Sequence, residues 1–165
     1  MCAKLKQKVE KIGDDVFITF DLHDIRVTLE QVGRVYDNVD QLSRLVPLLV
    51  DEVNVVASNG IEKTIDVTLK VPIINLMVKM QANLQIIKLN AQRACIIKVD
   101  ACGDVKIKGQ ATFYANNDLT SMFAEFKVIQ CPVNITIAQL VYYFIEPLAP
   151  TLIETACAYY SDNGS

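Results

Sequence analysis

The sequence predicts an α+β fold in which one long C-terminal helix lies on a curved antiparallel sheet. Three observations carry this reading. A final stretch, roughly residues 134–160, repeats apolar side chains at helical spacing. Seven earlier segments alternate apolar and polar residues with period two, and two short helical patterns follow the first of them. The order is therefore β-α-α-β6-α, a seven-stranded sheet and a helix, in one domain spanning residues 1–165. A one-faced sheet and an amphipathic helix cannot each hide its own apolar side, so each must cover the other.

Residues 4–12 fit two patterns. Leu5, Val9 and Ile12 suit one face of a short helix, and the same stretch suits an extension of the first strand. After the turn signal Gly13-Asp14-Asp15, Val16, Ile18, Phe20 and Leu22 alternate with Phe17, Thr19, Asp21 and His23, with the even positions inward. Thr28 and Gln31 have capping-box spacing and open a helix through Leu29, Val32, Val35 and Tyr36. Asn38 and Gln41 repeat that spacing before Val39, Leu42, Leu45 and Val46, and Pro47 ends the second helix. Val53, Val55 and Ala57 then alternate up to Asn59-Gly60, a two-residue hairpin signal because both residues tolerate positive φ.

The remaining strands follow the same rule. Their inward rows are Lys63 to Val71, Leu76 to Ile86, Cys95 to Ala101, Val105 to Phe113 and Met122 to Val128, each taken at every second residue. Turns are expected near Asn90, at Gly103-Asp104 and at Asn116-Asn117-Asp118. Cys131-Pro132 ends the sheet. Thr136 and Gln139 cap the last helix, and Ile137, Val141, Phe144, Leu148, Leu152, Thr155 and Tyr159 share its apolar face. Pro147 and Pro150 lie within it and predict a kink near Glu146.

Composition excludes several classes. The formal charge is −3 and no basic run is present, so no nucleic-acid footprint is expected. Five cysteines include no C-x-x-C pair, which argues against a zinc or redox motif and for small apolar residues in a reducing compartment. The residues after Met1 lack the apolar core of a signal peptide, and Leu140 to Ile153 is shorter than the roughly 20 apolar residues of a membrane span. A cytoplasmic protein is expected. Asp21 and His23 share a strand face that parity turns to solvent, which makes them a weak metal site and His23 a weak member of a Ser/His/Asp triad.

The element order resembles the helix-grip fold of the START and Bet v 1-like superfamily over nearly the whole chain. The segment from Arg34 to Pro47, with a helix leading into an aspartate, a short second helix and a proline, is similar to small members related to the G-type component of carbon monoxide dehydrogenase. The middle strands carry fewer glycines than those members do. The resemblance implies a hydrophobic cavity between sheet and long helix. Superfamily members bind lipids, sterols, polyketides, quinones or plant hormones, and some are cyclases or hydrolases.

The inward rows limit the chemistry independently. No carboxylate or histidine occupies the centre of any row, so a hydrolase or cyclase would have to use Thr155 or Tyr159 of the helix. The first expectation is a binding protein for a lipid, isoprenoid or quinone, with no cofactor and no metal. Its cavity is expected to be lined by Val67, Leu69, Leu76, Val78 and Met80, with Ile97, Val99, Ala111, Phe113 and Phe126. Val141, Phe144, Leu148, Leu152 and Tyr159 are expected to close it, with the loops near Asn90 and Asn117 gating access. An enzyme on an apolar substrate is the second reading, and an accessory interaction protein with a filled core the third. Met77, Phe17 and Phe123 point outward and leave oligomerisation or peripheral membrane contact open.

Overall fold

A computed structural model describes residues 4–12, 15–71, 76–130, 153–155 and 158. It contains one antiparallel sheet whose strands, in chain order, are β1 (Lys4–Ile12), β2 (Asp15–Ile25), β3 (Val50–Ser58), β4 (Glu62–Val71), β5 (Leu76–Leu89), β6 (Ala94–Gly103), β7 (Lys106–Asn116) and β8 (Leu119–Gln130). Their order in space is β1-β2-β8-β7-β6-β5-β4-β3. All seven expected strands are present. The segment that fitted two patterns adds an eighth, β1, which pairs with β2 from Lys4↔His23 to Ile12↔Asp15.

Helix α1 (Leu29–Asp37) starts as the capping box predicts. The Gln31 N–H donates to the Thr28 hydroxyl at 3.1 Å, and the Thr28 N–H donates to the Gln31 side chain at 2.8 Å. The second helix is shorter than expected. A 3-10 turn, Val39–Gln41, leads into α2 (Leu42–Leu45), a single turn. Asn38 does not cap it; its amide instead donates to the Arg34 carbonyl at 2.9 Å and closes α1.

Parity places the core as the alternation predicts. Val16, Ile18, Phe20 and Leu22 of β2 are buried, as are Val78, Met80, Ala82 and Ile86 of β5 and Met122, Ala124 and Val128 of β8. Leu22 and Ile25 are 0% exposed; burying each contributes about 1.5–3 kcal/mol. A bulge after Leu22, with Asp24 at φ 60°, turns Ile25 inward. The Thr120 hydroxyl closes this corner by donating to the Val27 carbonyl at 2.6 Å.

Two expectations change at the edge. Val55 and Ala57 do not face a core, because register shifts interrupt β3 after Val50 and after Val55, and beyond Val53 the strand is exposed. The Asn59-Gly60 turn is wider than two residues: Gly60 takes φ +94°, and the Asn59 side chain accepts from the Glu62 N–H at 2.8 Å. Of the cysteines, Cys95 is buried but Cys102 is exposed, so the small-core reading holds for one of the two described.

Gly109 of β7 meets β8 at very short range. A Cβ there would sit 2.0 Å from the Glu125 carbonyl oxygen, whereas one at Gly33 in α1 would make ordinary 3.7 Å contact with Lys88. Gly109→Ala is expected to lower stability by about 1–3 kcal/mol. Gly33→Ala is expected to raise it by about 0.5–1 kcal/mol. Urea denaturation of the two variants beside the parent checks both signs.

Candidate functional site

The strand registers assemble the inward side chains into rows that run across the sheet. One row is Lys63, Leu84, Val99, Gly109, Phe126 and Ile18, taken from β4 across to β2. The next is Ile86, Ile97, Ala111, Ala124 and Phe20. The ends of these rows are sealed, with Lys63, Ile86, Ile18 and Phe20 all buried. Between these ends Leu84, Ile97, Val99, Ala111 and Phe126 are half-buried and pack against the core, while Ala124 is buried.

The expected lining residues fall into three groups. Val78, Met80 and Phe113 are buried core residues. Val67, Leu69, Ile97, Val99, Ala111 and Phe126 are half-buried on the inner face. Of Leu76 only the backbone is described, paired with Val71, and Val141, Phe144, Leu148, Leu152 and Tyr159 lie outside the described residues, as does the expected kink at Pro147 and Pro150. Leu84 belongs to the half-buried set; its alternation with Asn83 and Gln85 was the available signal. In the last helical segment Ile153 packs against the core, while Thr155, expected on the inward stripe, is exposed. Beside it the Glu154 carboxylate accepts from the Arg26 N–H at 3.4 Å.

Lys63 is the polar group of the inner face that the alternation undervalued. It is buried, and its Nζ donates to the Tyr36 carbonyl at 2.8 Å and the Asp37 carbonyl at 2.9 Å, at the C-terminal end of α1. Those carbonyls carry the negative end of the helix dipole, which favours a cation there. The ammonium also lies 5.0 Å from the centre of the Tyr36 ring, and the Tyr36 hydroxyl donates to the Ile61 carbonyl at 2.7 Å. Burial, then the Asp37 and Glu62 carboxylates, pushes the Tyr36 phenol up from 10.0 to about 12. Cys95, also inward, has its thiol pushed up by burial against a smaller opposing pull from Lys88.

The two loops expected to gate access do meet. Asn90 and Arg93 on one, and Asn117 and Asp118 on the other, line a hollow of about 270 Å³ together with Val27, Thr28 and Leu29 at the start of α1. A larger cleft of about 740 Å³ lies elsewhere. It is lined by the Lys63-to-Ile18 row and by both rows that flank it, including Glu62, Gln85, Lys98, Lys108, Glu125 and Lys127. The neighbouring inward residues Ile97 and Ala111 do not line it, so it opens on the outer, polar face of the sheet.

On that outer face His23 Nε2 pairs with Asp21 Oδ1 at 2.8 Å and Nδ1 lies 3.3 Å from the Ser121 hydroxyl, with the imidazole half exposed. Phe17 lies under the Lys127 ammonium, and Phe17, Phe123 and Met77 sit opposite Lys127, Asp21 and Lys70 at separate places rather than in one patch. Among the described residues no group of three His, Cys, Asp or Glu side chains is placed to hold a metal, and no helix is long and apolar enough to cross a membrane.

No family model matches the sequence and no curated protein matches it significantly. Solved structures do match. A STAR-related lipid transfer protein fragment from Xanthomonas axonopodis superposes with TM-score 0.63 at 12% identity, over 93% of this chain and 97% of that one. Human STARD10 superposes with TM-score 0.68 at 11% identity, over 96% and 74%. The chain has the START and Bet v 1-like helix-grip fold. The Zhui aromatase/cyclase from Streptomyces sp. R1128 shares the fold too, at TM-score 0.58 and 10% identity over 87% and 90%. At such identities the likeness establishes the helix-grip fold alone, and function must be argued from the site.

The buried phenol gives a pH test of the Lys63–Tyr36 corner. An unfolded tyrosine ionises near 10.0 and the folded one near 12, so the stabilisation is full below pH 10 and falls as pH rises towards 12. A phenolate absorbance titration should show a lagging step near pH 12. Tyr36→Phe should remove that lagging step.

Proposed function

We propose that this protein binds a hydrophobic small molecule, such as a lipid, isoprenoid or quinone, between the inner face of the sheet and the C-terminal helix. The observation that carries this reading is the pattern of burial along the inward rows. In a filled core the central positions are covered most completely. Here the half-buried positions Leu84, Val99, Ile97, Ala111 and Phe126 adjoin one another at the centre, with buried Ile86, Ala101, Ala124 and Phe20 beside them. Val67 and Leu69 of β4 are half-buried on the same inner face, beyond the buried row Ile65, Ala82 and Ala101. Leu76, Val78, Met80 and Phe113 back it, and Val141, Phe144, Leu148, Leu152 and Tyr159 close it in this reading. Apolar ligand surface covered there contributes roughly 25 cal/mol per Å².

Access runs past the Asn90 and Asn117 loops, which share a hollow with the start of α1. The lipid-transfer protein and STARD10 with which the chain superposes support the reading through a common fold. Free Cys95 and Cys102 suit a reducing, cytoplasmic setting. The inner face offers no described carboxylate or histidine for acid–base work, which ranks binding above catalysis.

Mass spectrometry of an organic extract of the purified protein is expected to yield an apolar compound in stoichiometric amount. Ala111→Trp and Phe126→Trp are each expected to weaken uptake of a fluorescent fatty acid by roughly tenfold or more, a loss of about 1.4 kcal/mol. Undiminished uptake by both variants would place the pocket elsewhere.

A further inference from the structure

Among the described residues the inner face that would hold an apolar ligand contains one buried cation, and none of them forms an ion pair with it. Lys63 is 8% exposed. An ammonium has three N–H donors. Two donate to the Tyr36 and Asp37 carbonyls, and the third has no acceptor among the described residues. No described carboxylate pairs with it within 4.0 Å. A buried charge held only by neutral partners is costly, and a helix end offsets about half a unit of it.

Position gives this charge a direction. Lys63 is in the same cross-strand row as Leu84, Val99, Gly109 and Phe126, the half-buried strip. The other lysine of an inward row, Lys88, is exposed and reaches towards Gly33 of α1. A chain lying along Leu84, Val99 and Phe126 therefore ends at Lys63, and among the described residues it meets no other buried charge.

We propose that Lys63 is the polar anchor of this cavity and that the ligand is an amphiphile with an anionic head, a carboxylate or a phosphate. The inference rests on the binding reading above and specifies the ligand class. The head group accepts the remaining Nζ–H in a charge-assisted hydrogen bond and neutralises the ammonium, while the apolar chain covers the half-buried strip. Tyr36 and α1 hold Nζ in place, so the anchor exists before the ligand arrives.

The test is a displacement titration of the purified protein with hexadecanoic acid, hexadecanol, hexadecylamine and hexadecyl phosphate. The unmodified protein is expected to bind the acid, the phosphate or both at least about tenfold tighter than the alcohol, and the amine more weakly still. The tighter of the two anions identifies the head group. Lys63→Arg should keep the preference for anions over the alcohol and Lys63→Met should erase that preference. Equal binding of acid, phosphate and alcohol by the unmodified protein overturns the anchor and leaves the apolar cavity standing. Failure of all four to bind overturns both. The comparison on the unmodified protein needs no variant to fold.

Discussion

The antiparallel register between β2 and β8 sets the path of the rest of the chain. It aligns Val16 with Val128 and Leu22 with Met122, so the segment around β2 is joined to the last strand and not to the strand that follows it in sequence. The next strand, β3, lies at the opposite edge of the sheet. Between Ile25 and Val50 the chain must therefore travel from one side to the other, and α1, the 3-10 turn and α2 are that crossing. A connection that crosses a sheet has to bury something on the way. Here it buries Val32, Tyr36 and Val39, and it delivers the C-terminal carbonyls of α1 to β4. Those carbonyls make it possible to bury a lysine at position 63.

Much of this could be read before any coordinates. Strand faces are legible because side chains alternate strictly, and a single-residue slip would invert every one of them. The capping box at Thr28 was legible because both partners are local. What could not be read has the opposite character. In residues 4–12 the apolar positions satisfy a helical and an extended pattern, and only pairing with β2 decides between them. The exposure of Val55 and Ala57 follows from two register shifts with no composition signal. The burial of Lys63 depends on carbonyls at Tyr36 and Asp37, more than twenty residues earlier in the chain. Thr155 shows a fourth limit. A helical stripe fixes which residues share a face, but not how that face is rotated against the sheet.

The candidate site was legible in the same proportion. Alternation made legible which face its proposed apolar residues share, and six of those expected are on the inner face at half burial. Its polar end was not legible, because a lysine at the start of a strand reads as a solvated terminus until the helix end above it is known.

The small residues of the inner face have two different fates, and the contrast bears on what the sheet is for. Ala82, Ala101 and Ala124 are at most 3% exposed, so their larger neighbours have closed over them. Gly109 and Ala111 lie among the same rows and are only half-buried. Had packing density been the sole constraint, the same closure would have reached both sets, since an unfilled apolar space forfeits dispersion contacts on every wall. At Gly109 the β8 backbone has already come as near as it can, so the sheet cannot shift further to fill the space from that side. In the proposed reading the inner face at these positions is covered by the side chains of the last helix, a ligand, or both. In the proposed reading, a wall of Leu84, Val99, Ile97 and Phe126 suits an occupant that is apolar along its length, and the ammonium at the end of the row is where an anionic head would lie.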